Sequence, residues 1–280
     1  MSNKFYKLKR DGNWYYINNP KGELKFNSMG KFSVEDVRTV FNFAYDMTFG
    51  KVGEHRGSRS GGTINRRNGQ KFANTFQGKL GECAIYNELC KLASEDTTKF
   101  SVAQISKPDY SIGGLGIWDH VDINIGNFTA SVKSTKSYGQ LLLLETGDWD
   151  NNGRYLHSMD KHGNVNPVAY DFNFLVRVKT THYQASSDKV ISSCEDIMKA
   201  NNLLYTDSIS KDILAKLMLK EWFYDIPGFV THDELVYIIQ NKFIIPKDAE
   251  YGKKHTKMDA ENYYVRAADM SDISQLTAKM

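Results

Sequence analysis

Apolar residues change their spacing several times along this chain, and each change marks an element. Trp14-Tyr15-Tyr16-Ile17 and Leu24-Lys25-Phe26 are separated by Asn18-Asn19-Pro20-Lys21-Gly22, which predicts a strand pair joined by a polar turn. Ser33 before Glu35 and Asp36 reads as a helix N-cap with an acidic first turn, and Val37, Val40, Phe41, Ala44 and Tyr45 keep helical spacing until Gly50. A second helix is expected over 72–92, with Phe76, Leu80, Ala84, Leu89 and Leu92 on its apolar side and Glu82 beside that stripe. Short strands come next at 100–105, 109–112, 121–125, 128–133, 141–145 and 172–178, with Gly113-Gly114 and Gly126-Asn127 as turns. Helical spacing returns over 187–201, 208–223 and 231–240, where Thr231 and Glu234 make a capping box and Ile226-Pro227-Gly228 breaks the last two. Tyr263-Tyr264-Val265 reads as a closing strand. Strands and helices in this order predict an α+β fold.

Composition narrows the class only by exclusion. The 280 residues are 41% hydrophobic and 25% charged, which rules out a disordered, collagen-like or coiled-coil chain. No apolar run approaches the roughly 20 residues that a bilayer span needs, and the first ten residues lack the apolar stretch of a secretory signal. Cys83, Cys90 and Cys194 are odd in number and lack metal-ligand spacing, so three reduced thiols in a cytoplasmic protein are expected. No glycine-rich phosphate loop appears, so no nucleotide cofactor is implied. His157 and His162 fall in a polar excursion and read as solvated loop residues.

A net charge of +3 names no partner, but its distribution is uneven. Lys51, Arg56, Arg59, Arg66, Arg67, Lys71 and Lys79 are opposed over 51–80 by Glu54 alone, and Gly53, Gly57, Gly61, Gly62 and Gly69 lie among them. Such a segment can lie along phosphates and let its backbone approach them closely. A solvated surface loop is the ordinary explanation for a charge run, and the residues beyond this one shift the balance.

The cluster that carries chemistry is Val121-Asp122-Ile123-Asn124-Ile125, a tight turn, and Ala130-Ser131-Val132-Lys133-Ser134-Thr135. Alternation puts Ser131 and Lys133 on one strand face, and the turn can bring Asp122 beside the lysine. Carboxylates and a lysine meeting at a strand end can hold Mg²⁺ and orient water for attack on phosphate. Taken singly, each of these residues has an ordinary structural explanation.

Together with Gly78-Lys79-Leu80-Gly81-Glu82 on the preceding helix and the strand at 172–178, these residues resemble the PD-(D/E)xK nuclease superfamily, over about 77–178. The resemblance implies a restriction-endonuclease-like core: a helix, a mixed central sheet and flanking helices, with N- and C-terminal additions. It implies that Asp122 is the central metal ligand, in a site shared with Glu145 and Val132, and that Lys133 positions or polarises the attacking water. Glu82 would be an accessory carboxylate. The family usually carries an acid two residues before the lysine, where this chain has Ser131; some restriction enzymes of the superfamily also have Ser there and recruit a glutamate from further along. Glu145 is the first candidate for that part and Glu82 the second. Asp109, in a literal Pro108-Asp109, is a rival to Asp122 for the metal role, and Asp122 is preferred because it lies in the hairpin partner of the lysine strand.

The implied activity is that of a Mg²⁺-dependent Type II restriction endonuclease acting on double-stranded DNA, leaving 5′-phosphate ends and working as a homodimer on a palindrome. A structure-specific or repair nuclease of the same superfamily, and a non-catalytic DNA-binding protein that keeps the fold, are the alternatives. Arg56, Arg59, Arg66, Arg67, Lys71 and Lys136 are the expected DNA contacts. Residues 1–76 would form an N-terminal hairpin, helix and DNA-contacting loop, 77–180 the nuclease core, and 181–280 a helical part for recognition or dimerisation, either as separate parts or within one compact domain.

Overall fold

A computed structural model describes residues 4–18, 22–50, 66–96, 98, 100–111, 121–158, 164–184 and 189–280. Strands β1 (Lys9–Asp11) and β2 (Trp14–Tyr16) pair antiparallel across a turn at Gly12, and β3 (Gly30–Lys31) leads into α1 (Val34–Phe49). Ser33 and Asp36 form the expected capping box: Ser33 Oγ accepts from the Asp36 N–H at 2.9 Å, and the Asp36 carboxylate accepts from the Ser33 N–H at 3.2 Å. After α2 (Asn68–Glu95), β4 (Ile123–Ile125) and β5 (Phe128–Lys136) make an antiparallel hairpin at Gly126, as its spacing predicts. Next come β6 (Leu141–Glu145), the pair β7 (Arg154–Tyr155) and β8 (Val168–Ala169), the long β9 (Phe172–Thr180), and the pair β10 (His182–Gln184) and β11 (Lys189–Ile191). Helices α3 (Cys194–Ala200) and α4 (Lys211–Met218) precede β12 (Trp222–Thr231) and α5 (His232–Gln240). The remaining strands are β13 (Ile244–Ile245), β14 (Glu250–Tyr251), β15 (Thr256–Lys257) and β16 (Asn262–Arg266).

The fold is α+β. Its main sheet has the order β3-β12-β9-β5-β4, in which β5 and β9 run parallel and the other pairs antiparallel. One face packs on α1 and α2 through Val40, Phe41, Phe76, Leu80, Ala130, Phe172 and Phe174. The other packs on a second core that includes Leu144, Tyr170, Leu175, Val230, Leu235 and Tyr264. Phe174 and Leu175, adjacent in β9, go to opposite cores, as alternation requires of a strand covered on both sides. No helix among the described residues is long and apolar enough to cross a membrane.

Several expectations are corrected. Residues 24–26 are not a strand: β1 takes the pairing with β2, and the Leu24 and Lys25 carbonyls instead accept from the buried Arg177 guanidinium. The segment 100–105 is a short 3₁₀ turn (Val102–Gln104) closed by a bridge from Ile105 to Ile125, and 109–111 is irregular. Gly113-Gly114 lies outside the described residues. Among residues described in 187–201 and 208–223, helix is confined to α3 and α4. The largest departure is β12, which occupies Ile226-Pro227-Gly228 and lies inside the main sheet. Its register with β9 shifts between Asp225 and Gly228, so Pro227 falls in a bulge and no ladder bond is asked of its missing N–H. Gly228 is needed there: a Cβ would fall 2.3 Å from the Ser271 carbonyl oxygen. Because β3 and β12 complete the sheet, the span 77–180 does not close on itself, and both flanking segments are woven into the core.

Candidate active site

Strand β5 gathers the residues that the sequence singles out. Gly81 of α2 lies against it, where an added Cβ would stand 2.8 Å from Ser134 Cβ and 3.6 Å from Val132 Cγ1. The helix therefore covers the face shared by Val132 and Ser134. Ser131 and Lys133 turn to the opposite face, toward the second core.

Asp122 stands just before β4, and its Oδ2 accepts the Val132 N–H at 2.6 Å. A carboxylate thus takes a main-chain donor at the rim of the sheet, a short charge-assisted bond that fixes it at the Ser131–Val132 peptide. Burial, and then the Asp122 charge, pushes the Tyr170 phenol above its ordinary range, so Tyr170 lies within electrostatic reach of this carboxylate. Lys133, one residue beyond the Asp122 contact, is half-buried and makes no hydrogen bond or ion pair among the described residues. The rival acid is engaged locally: exposed Asp109 accepts from the Ser111 N–H at 2.7 Å and the Ser111 hydroxyl at 2.8 Å.

The other candidates lie elsewhere. Glu145 ends β6, opposite Asn262 of β16, in a three-stranded sheet of its own with β13. Glu82 sits between α1 and α2, where Lys79 Nζ pairs with it at 2.7 Å and also lies over the Phe43 ring. Beside it Cys83 and Tyr110 share a 2.7 Å hydrogen bond, and burial pushes the Cys83 thiol up to about 12. His157, expected as a solvated loop residue, stands 3.2 Å from Asp148 with its ring edge-on to Tyr155; His162 lies outside the described residues.

The expected DNA contacts divide as well. Arg56 and Arg59 lie outside the described residues. Arg66 pairs with Asp259 at 3.4 Å and Arg67 with Asp207, both beside the start of α2, where Lys71 occupies the first turn. Lys136 is held by Glu195 at 3.0 Å and Asp196 at 3.5 Å. Burial alone would lower its pKa, and the Glu195 carboxylate more than offsets this, so the ammonium is held above its ordinary range.

A polar residue that no sequence motif marks completes the row. Asn173 of β9 is in register with Ser131, so the two side chains share a face, while Phe172 and Phe174 on either side enter the α1–α2 core. Asn173 is 0% exposed, and neither its amide oxygen nor its amide nitrogen meets a hydrogen-bond partner. Its only signal in the sequence is one amide among the apolar residues of the run 172–176.

Among the described residues no three Asp, Glu, His or Cys side chains stand close enough together to hold a metal by themselves. The donors at this rim are nevertheless hard oxygens around one fixed carboxylate. That set fits Mg²⁺, which commonly keeps several waters and uses one or two carboxylates plus substrate phosphates. Asp122 would hold the ion, with Ser131 and Val132 supplying neutral oxygens beside it. No family model matches the chain, and no curated protein or solved structure is significantly similar to it.

Proposed function

We propose that this chain is a Mg²⁺-dependent, sequence-specific double-stranded DNA endonuclease with a restriction-endonuclease-like core, acting as a homodimer. One observation carries the reading: the Asp122 carboxylate bonded to the Val132 N–H at 2.6 Å, next to a half-buried Lys133 that has no counter-ion among the described residues. A structural lysine at such a position ordinarily gains an acid partner or extends into water. An ammonium withheld from protein carboxylates beside a fixed acid suits a group whose negative charge arrives with the substrate.

The arrangement of elements supports the same reading: α2 backs a β4–β5 hairpin, and β9 runs parallel to β5 behind it. When bound, Mg²⁺ neutralises phosphate charge and makes water a better nucleophile. Asp122 fixes the anionic side of the site. Lys133 directs the attacking water and stabilises charge developing on the phosphoryl oxygens, leaving 5′-phosphate and 3′-hydroxyl ends. Arg66 and Arg67 exchange their ion pairs with Asp259 and Asp207 for phosphate, joined by Lys71 in the first turn of α2 and by Arg56 and Arg59 in the same basic segment.

Digestion of supercoiled plasmid with Mg²⁺, with EDTA as the control, tests this. Discrete Mg²⁺-dependent fragments are expected. Nicks or a smear would favour a structure-specific or repair nuclease, and retarded but intact DNA would favour a non-catalytic binder.

A further inference from the structure

We infer that Asn173 is a ligand of the divalent cation held by Asp122, its amide oxygen standing in for the acid absent at position 131. The inference rests on the nuclease reading above and deepens it. A fully buried amide with both polar atoms unpartnered is destabilising, and buried side-chain amides are ordinarily satisfied. An apolar residue at 173 would pack against Val230, its register partner on β12, and beside Leu175 on the same face. Packing therefore does not call for an amide here.

What the amide does have is position. Asn173 is beside Ser131 across the parallel β5–β9 pair, and the Asp122 carboxylate is fixed at the Ser131–Val132 peptide from the other side. Neighbouring strands lie about 4.8 Å apart, so residues flanking β5 are separated by about 10 Å at the backbone. Ser131, 2% exposed, lies between them, a short side chain where the family pattern has Asp or Glu. Asp122 and Asn173 then present one anionic and one neutral hard oxygen across it, and amide carbonyls are ordinary ligands for Mg²⁺-like and Ca²⁺-like ions. The same geometry explains why Ser at 131 is compatible with a metal site: the second oxygen comes from the next strand.

Mn²⁺ titration of the full chain without DNA, monitored by electron paramagnetic resonance of the free ion, tests the assignment independently of cleavage. Wild type should bind Mn²⁺, Asp122→Asn and Asn173→Leu should each weaken binding at least tenfold, and Asn173→Asp should tighten it several-fold. A thermal melt of each variant checks folding, and Asn173→Leu should melt no lower than wild type. If Asn173→Leu binds Mn²⁺ like wild type while Asp122→Asn does not, Asn173 is no ligand and the Asp122 site survives. If Asp122→Asn also binds normally, or wild type binds no Mn²⁺, the cation site itself falls and this inference with it.

Discussion

Arg177 offers the sharpest test of how the sheet behind the site is held together. Its guanidinium is fully buried, and all five N–H donors are used: two to the Asp225 carboxylate, one of them at 2.8 Å, and three to the carbonyls of Leu24 (2.6 Å), Lys25 (2.9 Å) and Gly139 (3.4 Å). Asp225, 4% exposed, faces Arg177 in register across β9 and β12 and also accepts from the Asn27 N–H at 3.0 Å. Replacing Arg177 with Met keeps much of the volume but strands a buried carboxylate and takes the guanidinium donor from the Lys25 carbonyl, while the Leu24 carbonyl keeps the Gln140 amide at 3.0 Å. Removing one partner of a buried ion pair costs about 3–5 kcal/mol, and for a chain of this size each kcal/mol lowers Tm by about 2–4 °C. Arg177→Met should therefore lower Tm by about 6–20 °C. The double variant Arg177→Met/Asp225→Leu removes the stranded charge and should recover a large part of that loss. Urea unfolding of both variants, with Tm from calorimetry, decides it. A single-variant loss below about 1 kcal/mol, or a double variant no better than the single, would refute the argument.

Three further outcomes are expected from the geometry. Gly81→Ala drives a Cβ to 2.8 Å from Ser134 Cβ, so despite better helix propensity it should cost about 1–2 kcal/mol in urea unfolding. Adding Ser134→Gly should restore most of that, and a stabilised Gly81→Ala would show that α2 does not press on β5 there. Burial raises the Cys83 thiol from its ordinary 9.0 to about 12, so the folded chain keeps a proton that the unfolded chain loses. The stability this represents is complete below pH 9 and is lost as pH rises from 9 towards 12, at about 1.4 kcal/mol per pH unit. Cys83→Ala should flatten that decline in chemical unfolding, and an unchanged slope contradicts it. Alanine at Arg56, Arg59, Arg66 and Arg67 together should weaken DNA binding and reduce the salt slope by roughly one for each phosphate no longer neutralised; unchanged affinity and slope would move recognition elsewhere.

The features legible in the sequence are local ones. Ser33 before Asp36 and Thr231 before Glu234 announce helix starts because a cap is decided within four residues, and both capping boxes are present. The β4–β5 hairpin is legible for the same reason, and with it the approach of Asp122 to the lysine strand. The hidden features depend on pairing between distant segments. Pro227-Gly228 reads as a break until its strand is seen to bulge against β9. Lys136 resembles a free surface cation until Glu195 and Asp196 are brought to it by α3. Glu145 and then Glu82 read as replacements for a missing acid, yet Glu82 pairs with Lys79 on α2 and Glu145 lies in a separate sheet. Asn173 carries no local mark beyond its polarity, because its register with Ser131 arises only when β9 docks parallel to β5.

The central claim is that Asp122 and Lys133 act in bond cleavage and not in folding. Both substitutions suited to test it are conservative: Asp122→Asn keeps an oxygen to accept the Val132 N–H, and Lys133→Met keeps the aliphatic stem of a side chain that makes no ion pair among the described residues. The decisive measurement is single-turnover cleavage of a defined DNA duplex in Mg²⁺ by wild type and the two variants, with the affinity of each for the same duplex measured in parallel. The account predicts cleavage lowered by at least about 10²–10³-fold in each variant, with affinity within a few-fold of wild type. Cleavage at the wild-type rate in either variant would contradict it.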